Sequence, residues 1–129
     1  MNTMTIGKLA AAGGVGVETI RFYQRRGLMA EPDRSGGVRR YDRQDLSRLR
    51  FIRAAQAGGF TLAEIDELLA LDATHERGRA LELATKRIAE IETKMATLRK
   101  ARASLRRLAD RCASGGGERC PIIKAFEEE

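Results

Sequence analysis

The sequence has few of the residues from which an enzyme site is built. Its 129 residues contain one histidine and two cysteines. There is no pair of acids in an apolar setting and no phosphate-binding glycine loop, so an enzyme is the least favoured interpretation. A run of about 18 apolar residues is also lacking, and we therefore expect no membrane span. No signal peptide is recognisable, which predicts a cytoplasmic protein in which a structural disulfide is disfavoured.

Positive charge is concentrated towards the N-terminus. The net charge is +6. Residues 1–60 hold eleven Lys or Arg against five Asp or Glu, whereas residues 72–129 hold thirteen against ten. A basic excess of this size on a small segment favours a polyanionic partner, most simply nucleic acid.

Two short helices are predicted near the N-terminus. The first covers residues 5–12 and is closed by Gly13 and Gly14. The second begins at Val17, alternates a buried face with a strongly basic one, and stops at Gly27. Two short helices joined by a glycine-containing turn, the second of them basic, indicate a helix-turn-helix. A solvated basic surface helix is the alternative.

A basic hairpin is predicted directly after this second helix. Residues 31–41 place a Gly-Gly turn between short extended pieces and carry Arg34, Arg39 and Arg40. Such a hairpin is typical of a winged helix-turn-helix, whose arginines lie along the phosphate backbone or in a minor groove. A charged turn without a binding role is the alternative.

Two further helices are predicted before the chain becomes a single long helix. Residues 42–57 present an apolar face and end at Gly58 and Gly59. The next helix begins with a capping box at Thr61 and Glu64 and continues to about residue 71. The apolar residues of both helices are most simply core, and we assign them no chemistry.

The long helix is predicted from Glu76 to Arg111. Its apolar residues follow alternating three- and four-residue steps, interrupted once by Arg102; they are Leu81, Ala84, Ile88, Ile91, Met95, Leu98, Leu105 and Ala109. A helix of about 35 residues is about 50 Å long and cannot bury such a seam within a small monomer. We therefore expect a two-stranded coiled coil with a second copy of the chain. An intramolecular hairpin would need a turn, and none is visible.

The two cysteines lie beyond this helix, with seven residues between them. Thiolates are the ligands that soft metal ions prefer, and the glycine-rich loop between Cys112 and Cys120 would let both converge on one ion. Cys120 precedes Pro121, so it is expected to cap a short helix whose dipole favours a thiolate. A redox switch that closes a disulfide, or two unconnected thiols, are the alternatives.

Several short runs together resemble a known family. They are residues 5–7, 17–23, 27–28, 39–41, 59–60 and 120–123. The pattern is similar to that of the MerR family of metal-responsive bacterial transcription regulators. The resemblance implies a mainly α fold: a winged helix-turn-helix DNA-binding head over residues 1–72, a long antiparallel coiled-coil dimerisation helix over 73–111, and a short metal-binding loop and C-terminal helix over 112–129.

The resemblance also implies a mechanism. The homodimer binds promoter DNA whose spacer is too long. Metal binding makes it distort that DNA, so that RNA polymerase can use both promoter elements of a metal-resistance operon. This distortion must be driven by a difference in metal affinity between two conformations of the regulator.

The functional residues of the family can be carried over position by position. The recognition-helix segment that reaches bases and phosphates corresponds to Glu18, Thr19, Arg21 and Tyr23. The wing positions that grip the backbone correspond to Arg39 and Tyr41, with Arg34 on the same hairpin. The metal ligands of the family correspond to Cys112 and Cys120.

The chain departs from part of the family near the start of the long helix. Mercury-, lead- and zinc-type members carry a third cysteine there and copper-type members usually a serine, whereas this chain has Arg77, with His75 close by. Two thiolates alone favour linear coordination of Cu(I), Ag(I) or Au(I), although Hg(II) accepts the same geometry and remains the alternative. Arg77 of the partner subunit could offset the negative charge of such a complex, and His75 could supply a third ligand.

Overall fold

The fold is described from a computed structural model, for residues 3–32, 37, 40–115 and 119–127. It contains six α-helices in this part of the chain: α1 Ile6–Gly13, α2 Val17–Arg25, α3 Arg43–Ala57, α4 Leu62–Thr74, α5 Arg77–Ser114 and α6 Pro121–Glu127. The chain divides into an N-terminal unit, Met1–Leu81, and a C-terminal unit, Glu82–Glu129. The predictions of a mainly α fold, a helix-turn-helix head and a long C-terminal helix are confirmed.

Three helices of the N-terminal unit, α1, α3 and α4, begin at side-chain caps, whereas α2 begins at Gly16 without one. Thr5 accepts a hydrogen bond from the backbone N–H of Lys8 at the start of α1. The capping box predicted at Thr61 is confirmed, because its hydroxyl and the Glu64 carboxylate each accept a backbone N–H from the other residue. Asp42 begins α3 with a second capping box. Each cap satisfies backbone donors that the first turn of a helix leaves unpaired.

The core of the N-terminal unit lies where α1, α2, α3 and α4 meet. Its buried residues are Leu9, Ala10, Ile20, Tyr23, Leu28, Met29, Tyr41, Leu49, Ile52, Ala55 and Ile65. Close approach of α1 to α3 depends on Gly13, because a Cβ atom there would lie 2.4 Å from Cδ2 of the fully buried Leu49. The helix pair therefore packs at a distance that only glycine allows at this position.

The second helix, α2, ends in a Schellman motif. Gly27 has φ +76°, a left-handed conformation that glycine adopts without strain. The Leu28 N–H donates to the Tyr23 carbonyl at 2.9 Å, and the Gly27 N–H donates to the Gln24 carbonyl at 3.1 Å. The turn brings Leu28 back into the core, so the exposed face of α2 has a fixed orientation.

The segment after α2 returns to the N-terminus of the chain. Met4 and Tyr41 form an antiparallel bridge with two backbone hydrogen bonds of 2.8 Å. This bridge is the only β pairing among the residues described here. Of the predicted hairpin arginines, Arg40 is exposed. Arg34 and Arg39 lie outside the described residues.

Two helices run further than the sequence predicts. α4 continues to Thr74 and ends at His75, whose φ of 59° is left-handed. α5 begins at Arg77 and continues to Ser114. Apolar side chains of its seam are strongly exposed; the exposed fractions are 54% for Ile88, 45% for Met95, 60% for Leu98 and 43% for Leu105. No helix in the described ranges is long and apolar enough to cross a membrane.

Candidate functional site

The exposed face of α2 is the candidate DNA-reading surface. Side chains three and four residues apart lie on one side of a helix, and here they are Glu18, Arg21, Phe22, Arg25 and Arg26, all exposed. Arg21 Nη1 lies 3.5 Å from Glu18 Oε1, with both side chains more than half exposed. Since an exposed pair of this kind contributes at most about 1 kcal/mol, Arg21 can exchange Glu18 for a phosphate or a base at little cost.

Three residues of this face, Phe22, Arg25 and Arg26, were not singled out from the sequence. Phe22 is 37% exposed, and the Arg26 guanidinium lies 5.9 Å from its ring centroid, within cation–π range. Arg25 is exposed on the same face. The helical spacing in the sequence already indicates this, because Phe22 and Arg25 follow Glu18 by four and seven residues and therefore lie on the same face of the helix. Thr19, which was singled out, is partly buried at the edge of the face.

Tyr23 and Tyr41, which the resemblance places among the DNA-contacting residues, are both buried in the chain. Each is only 1% exposed and belongs to the core. The Tyr23 hydroxyl donates to Gln56 Oε1 at 2.5 Å, and Gln24 Nε2 donates to the Tyr41 hydroxyl at 2.9 Å. These contacts fix α2 against α3 and attach residue 41 to α2.

The two thiols come together at the other end of the chain. Cys112 lies in the last turn of α5, Cys120 directly precedes α6, and their Sγ atoms are 2.9 Å apart, in hydrogen-bond contact. Both cysteines are free and partly buried. The sequence prediction that the loop lets the two thiols converge therefore agrees with their placement, although residues 116–118 of that loop lie outside the described part.

The two thiols have unequal acidity because the hydrogen bonds around them favour the thiolate of only one. The pKa of Cys120 is lowered by the hydrogen bond from the Cys112 thiol, and further by the backbone N–H groups of Ile122 and Ile123. The pKa of Cys112 is raised by its hydrogen bond with Cys120 and by desolvation. Cys120 is thus the first of the pair to become a thiolate.

The donor set fits a soft ion that accepts few ligands. Among the described residues, no group of three His, Cys, Asp or Glu is placed to hold one metal ion. Two thiolates suit Cu(I), Ag(I), Au(I) or Hg(II).

His75 and Arg77 lie in the N-terminal unit. Both are exposed. They line an open groove of about 910 Å³ together with residues of α3 and α4, among them Phe51, Leu68 and Leu71. His75 also ends α4 in a left-handed conformation, which gives it a structural part independent of any metal.

Comparison with known proteins identifies the class to which this arrangement belongs. The family model described as "MerR HTH family regulatory protein" matches residues 4–72. A second family model, described as "MerR, DNA binding", matches residues 46–108. The chain belongs to the MerR family of helix-turn-helix regulatory proteins. It is therefore a DNA-binding transcriptional regulator and not an enzyme.

Individual relatives cover almost the whole chain. It is 45% identical to a mercuric resistance operon regulatory protein of Pseudomonas fluorescens, over 98% of this chain and 90% of the relative. The lead(II) complex of the regulator PbrR691 from Ralstonia metallidurans has a TM-score of 0.72 at 38% identity, covering 95% of this chain and 98% of that one. The mercury(II) complex of MerR from Bacillus megaterium has a TM-score of 0.65 at 35% identity, covering 96% and 99%.

Proposed function

We propose that the chain is a soft-metal-responsive regulator that binds promoter DNA as a homodimer and activates a metal-resistance promoter. The observation that carries this proposal is the convergence of Cys112 and Cys120 in a protein whose other end is a helix-turn-helix head. Relatives whose names or structures refer to mercury and lead support the same class of signal. In this proposal residues 1–72 bind DNA, 73–111 dimerise and 112–129 bind the metal.

On DNA, the exposed face of α2 would enter the major groove. Arg21, freed from its weak surface pair with Glu18, would contact a phosphate or a guanine edge, with Thr19 beside it. Arg34 and Arg39, on the proposed wing, would contact the phosphate backbone of the DNA. Tyr23 and Tyr41 act from the core by holding α2 in place. RNA polymerase is the further partner at the promoter, and the whole complex is cytoplasmic.

Metal binding would act through the geometry of the two thiols. Sulfur atoms bonded to one ion from opposite sides must be farther apart than the 2.9 Å seen here, so binding has to spread Cys112 and Cys120. Cys120, whose pKa is lowered by its hydrogen bonds from Cys112 and the start of α6, offers the first thiolate. This would displace α6 relative to α5. Such a displacement would shift the equilibrium of the dimer from a repressing to an activating conformation.

The first candidate inducer is a monovalent coinage metal ion, Cu(I), Ag(I) or Au(I). Two thiolates and one monovalent ion leave one net negative charge, which Arg77 of the second copy would offset. The second candidate is Hg(II), which the mercuric relatives favour. Its complex with two thiolates is neutral and needs no such partner. His75 as a third ligand would favour Hg(II) further.

The experiment is a competition titration of the reduced dimer with Cu(I), Ag(I) and Hg(II) in a thiol buffer, read as metal bound per chain and as transcription from the promoter. We expect one tightly bound ion per chain, with Cu(I) and Ag(I) activating. Activation by Hg(II) alone would transfer the assignment to mercury. Absence of any metal response would instead favour the thiol redox switch, in which oxidation joins the two sulfurs.

Arg77→Ala separates the two candidates without relying on absolute affinities. Loss of the guanidinium should weaken Cu(I) binding by about tenfold and leave Hg(II) binding unchanged, because only the first complex is charged. Arg107→Ala, which removes the same charge from an exposed site on α5, is the matched control. Equal loss for both ions would show that Arg77 does not compensate charge.

A further inference from the structure

Gln24 connects α2 to the segment that follows it. The residue is partly buried, whereas its neighbours in the sequence are the core residue Tyr23 and the exposed Arg25. The amide nitrogen Nε2 of Gln24 donates to the Tyr41 hydroxyl at 2.9 Å and to the Ala30 carbonyl at 3.5 Å. These two partners lie 17 and 6 residues further along the chain. One side chain of α2 therefore contacts two separate points of the following segment.

The two points flank the predicted wing. Ala30 immediately precedes the predicted hairpin of residues 31–41, and Tyr41 is its last residue. Tyr41 is also joined to Met4 by two backbone hydrogen bonds of 2.8 Å, and its side chain is buried. The base of the wing is thus attached to the N-terminal unit, and Gln24 supplies a side-chain link from that base to α2.

We propose that Gln24 is a positioning residue for DNA binding: its amide holds both ends of the wing against α2, so that the wing and the exposed face of α2 meet DNA in one fixed arrangement. This inference rests on the proposed contacts of Arg34 and Arg39 with the phosphate backbone. It adds the residue that aligns those contacts with the ones made by α2. Gln24 acts through the wing and need not touch DNA itself.

Holding the wing before DNA arrives strengthens binding. Contacts to phosphates set the register and orientation of a protein on the duplex, so the wing contacts must match those of α2 in spacing. A segment that has to be ordered during binding lowers the affinity, whereas one already held in the bound arrangement avoids this loss. The two hydrogen bonds of Gln24 fix the wing at the points where it leaves and rejoins the N-terminal unit.

Gln24 is neutral, and its influence on charged contacts can therefore be measured separately. Salt weakens protein–DNA binding in proportion to the number of phosphates that the cations of the protein neutralise. Replacing a neutral residue removes no cation. A change in the salt slope after replacement of Gln24 must therefore come from cations elsewhere in the protein that have lost their phosphates.

The test is Gln24→Met in the full-length chain. Methionine has nearly the same length but cannot donate a hydrogen bond, so only the link to the wing is lost. We expect operator affinity to fall about tenfold and the salt slope to decrease by about 1. Gln44→Met, the same change at an exposed site on α3, should alter neither quantity. Denaturant unfolding of both variants is measured as well, because partial unfolding would lower the affinity without changing the slope.

Combined variants show which contacts depend on Gln24. In a chain that already carries Arg34→Ala and Arg39→Ala, Gln24→Met should weaken binding by less than about twofold, because the wing contacts are already lost. In an Arg21→Ala chain it should keep its full effect of about tenfold. Tyr41→Phe removes the accepting hydroxyl, so its combination with Gln24→Met should weaken binding by less than about twofold beyond Gln24→Met alone.

The outcomes separate this inference from the proposed function. An unchanged salt slope in Gln24→Met, or a full tenfold loss in the chain without Arg34 and Arg39, would overturn the inference. The variant that lacks both arginines tests the proposed wing contacts by itself. If its slope equals that of the unmodified protein, the wing contacts and this inference fail together. If its slope is reduced while that of Gln24→Met is not, only the inference fails.

Discussion

The N-terminal and C-terminal units differ in how they dispose of apolar residues. In the N-terminal unit Leu9, Leu49 and Ile52 are completely buried, and α1, α3 and α4 begin at side-chain caps. In the C-terminal unit Ile88 and Leu98 are more than half exposed. The first pattern is that of a domain that completes its own core; the second is that of a surface made for a partner. The N-terminal unit thus completes its core within one chain, whereas the apolar seam of α5 is left for a partner.

The comparison predicts that damage at the metal loop leaves DNA binding intact, and this is the largest effect we expect. Cys112→Ser removes one of two thiolate ligands, so metal affinity should fall at least about hundredfold and induction should be lost. Operator affinity should stay within about twofold. Metal titration and operator binding of the same preparation measure both quantities.

Ala113→Ser, next to the ligand and exposed, is the matched control for this change. It should retain metal affinity and induction. Loss of operator binding in Cys112→Ser would contradict the proposal that metal binding and DNA binding depend on separate units, because it would show that the loop supports the fold of the DNA-binding unit.

The next largest effect should come from the tightest contact in the N-terminal unit. Gly13→Ala forces a methyl group against Leu49 in the core and should lower the free energy of unfolding by about 2 kcal/mol. Gly7→Ala, on the same helix, meets only Thr5 Oγ1 at 3.9 Å and should be neutral or stabilising. Denaturant unfolding distinguishes them, and equal stability of the two variants would show that α1 can shift away from α3 freely.

Helix positions could be predicted because their signals are local. The capping box at Thr61 and the glycine at residue 27 act within a few residues, and both are found where the sequence places them. The end of α4 was predicted too early, because residues 72–74 contain no helix breaker and His75 adopts the left-handed conformation that usually falls to glycine.

The candidate site was predicted less completely, because burial depends on partners distant in sequence. Tyr23 was assigned to the DNA surface, yet its hydroxyl is paired with Gln56, 33 residues away. Phe22, its neighbour, has the exposure that was expected of Tyr23. The meeting of Cys112 with Cys120 could be anticipated, since a short loop joins them, but the unequal acidity of the two thiols depends on the start of α6.

A smaller effect tests whether the exposed face of α2 meets DNA. Arg21→Ala removes one cation from that face and should weaken operator binding by about 1 kcal/mol, with the salt slope reduced by about 1 if the contact is to a phosphate. Arg107→Ala carries the same loss of charge on α5 and should leave the slope unchanged. Operator affinity measured at several salt concentrations gives the slope, and an unchanged slope for Arg21→Ala would rule out a phosphate contact.

The smallest effect is expected at His75, where α4 ends, and it tests whether the metal site uses a residue of the N-terminal unit. His75 is held at φ 59°, and its backbone conformation lets the Glu76 N–H donate to the Leu71 carbonyl at 3.2 Å. Glycine adopts this conformation freely, so His75→Gly should leave stability unchanged or raise it by up to about 1 kcal/mol. If His75 serves only this turn, metal affinity will not change, and sensing needs no imidazole from the N-terminal unit. If affinity for Hg(II) falls while stability holds, His75 is a ligand, and the metal site draws directly on the DNA-binding unit.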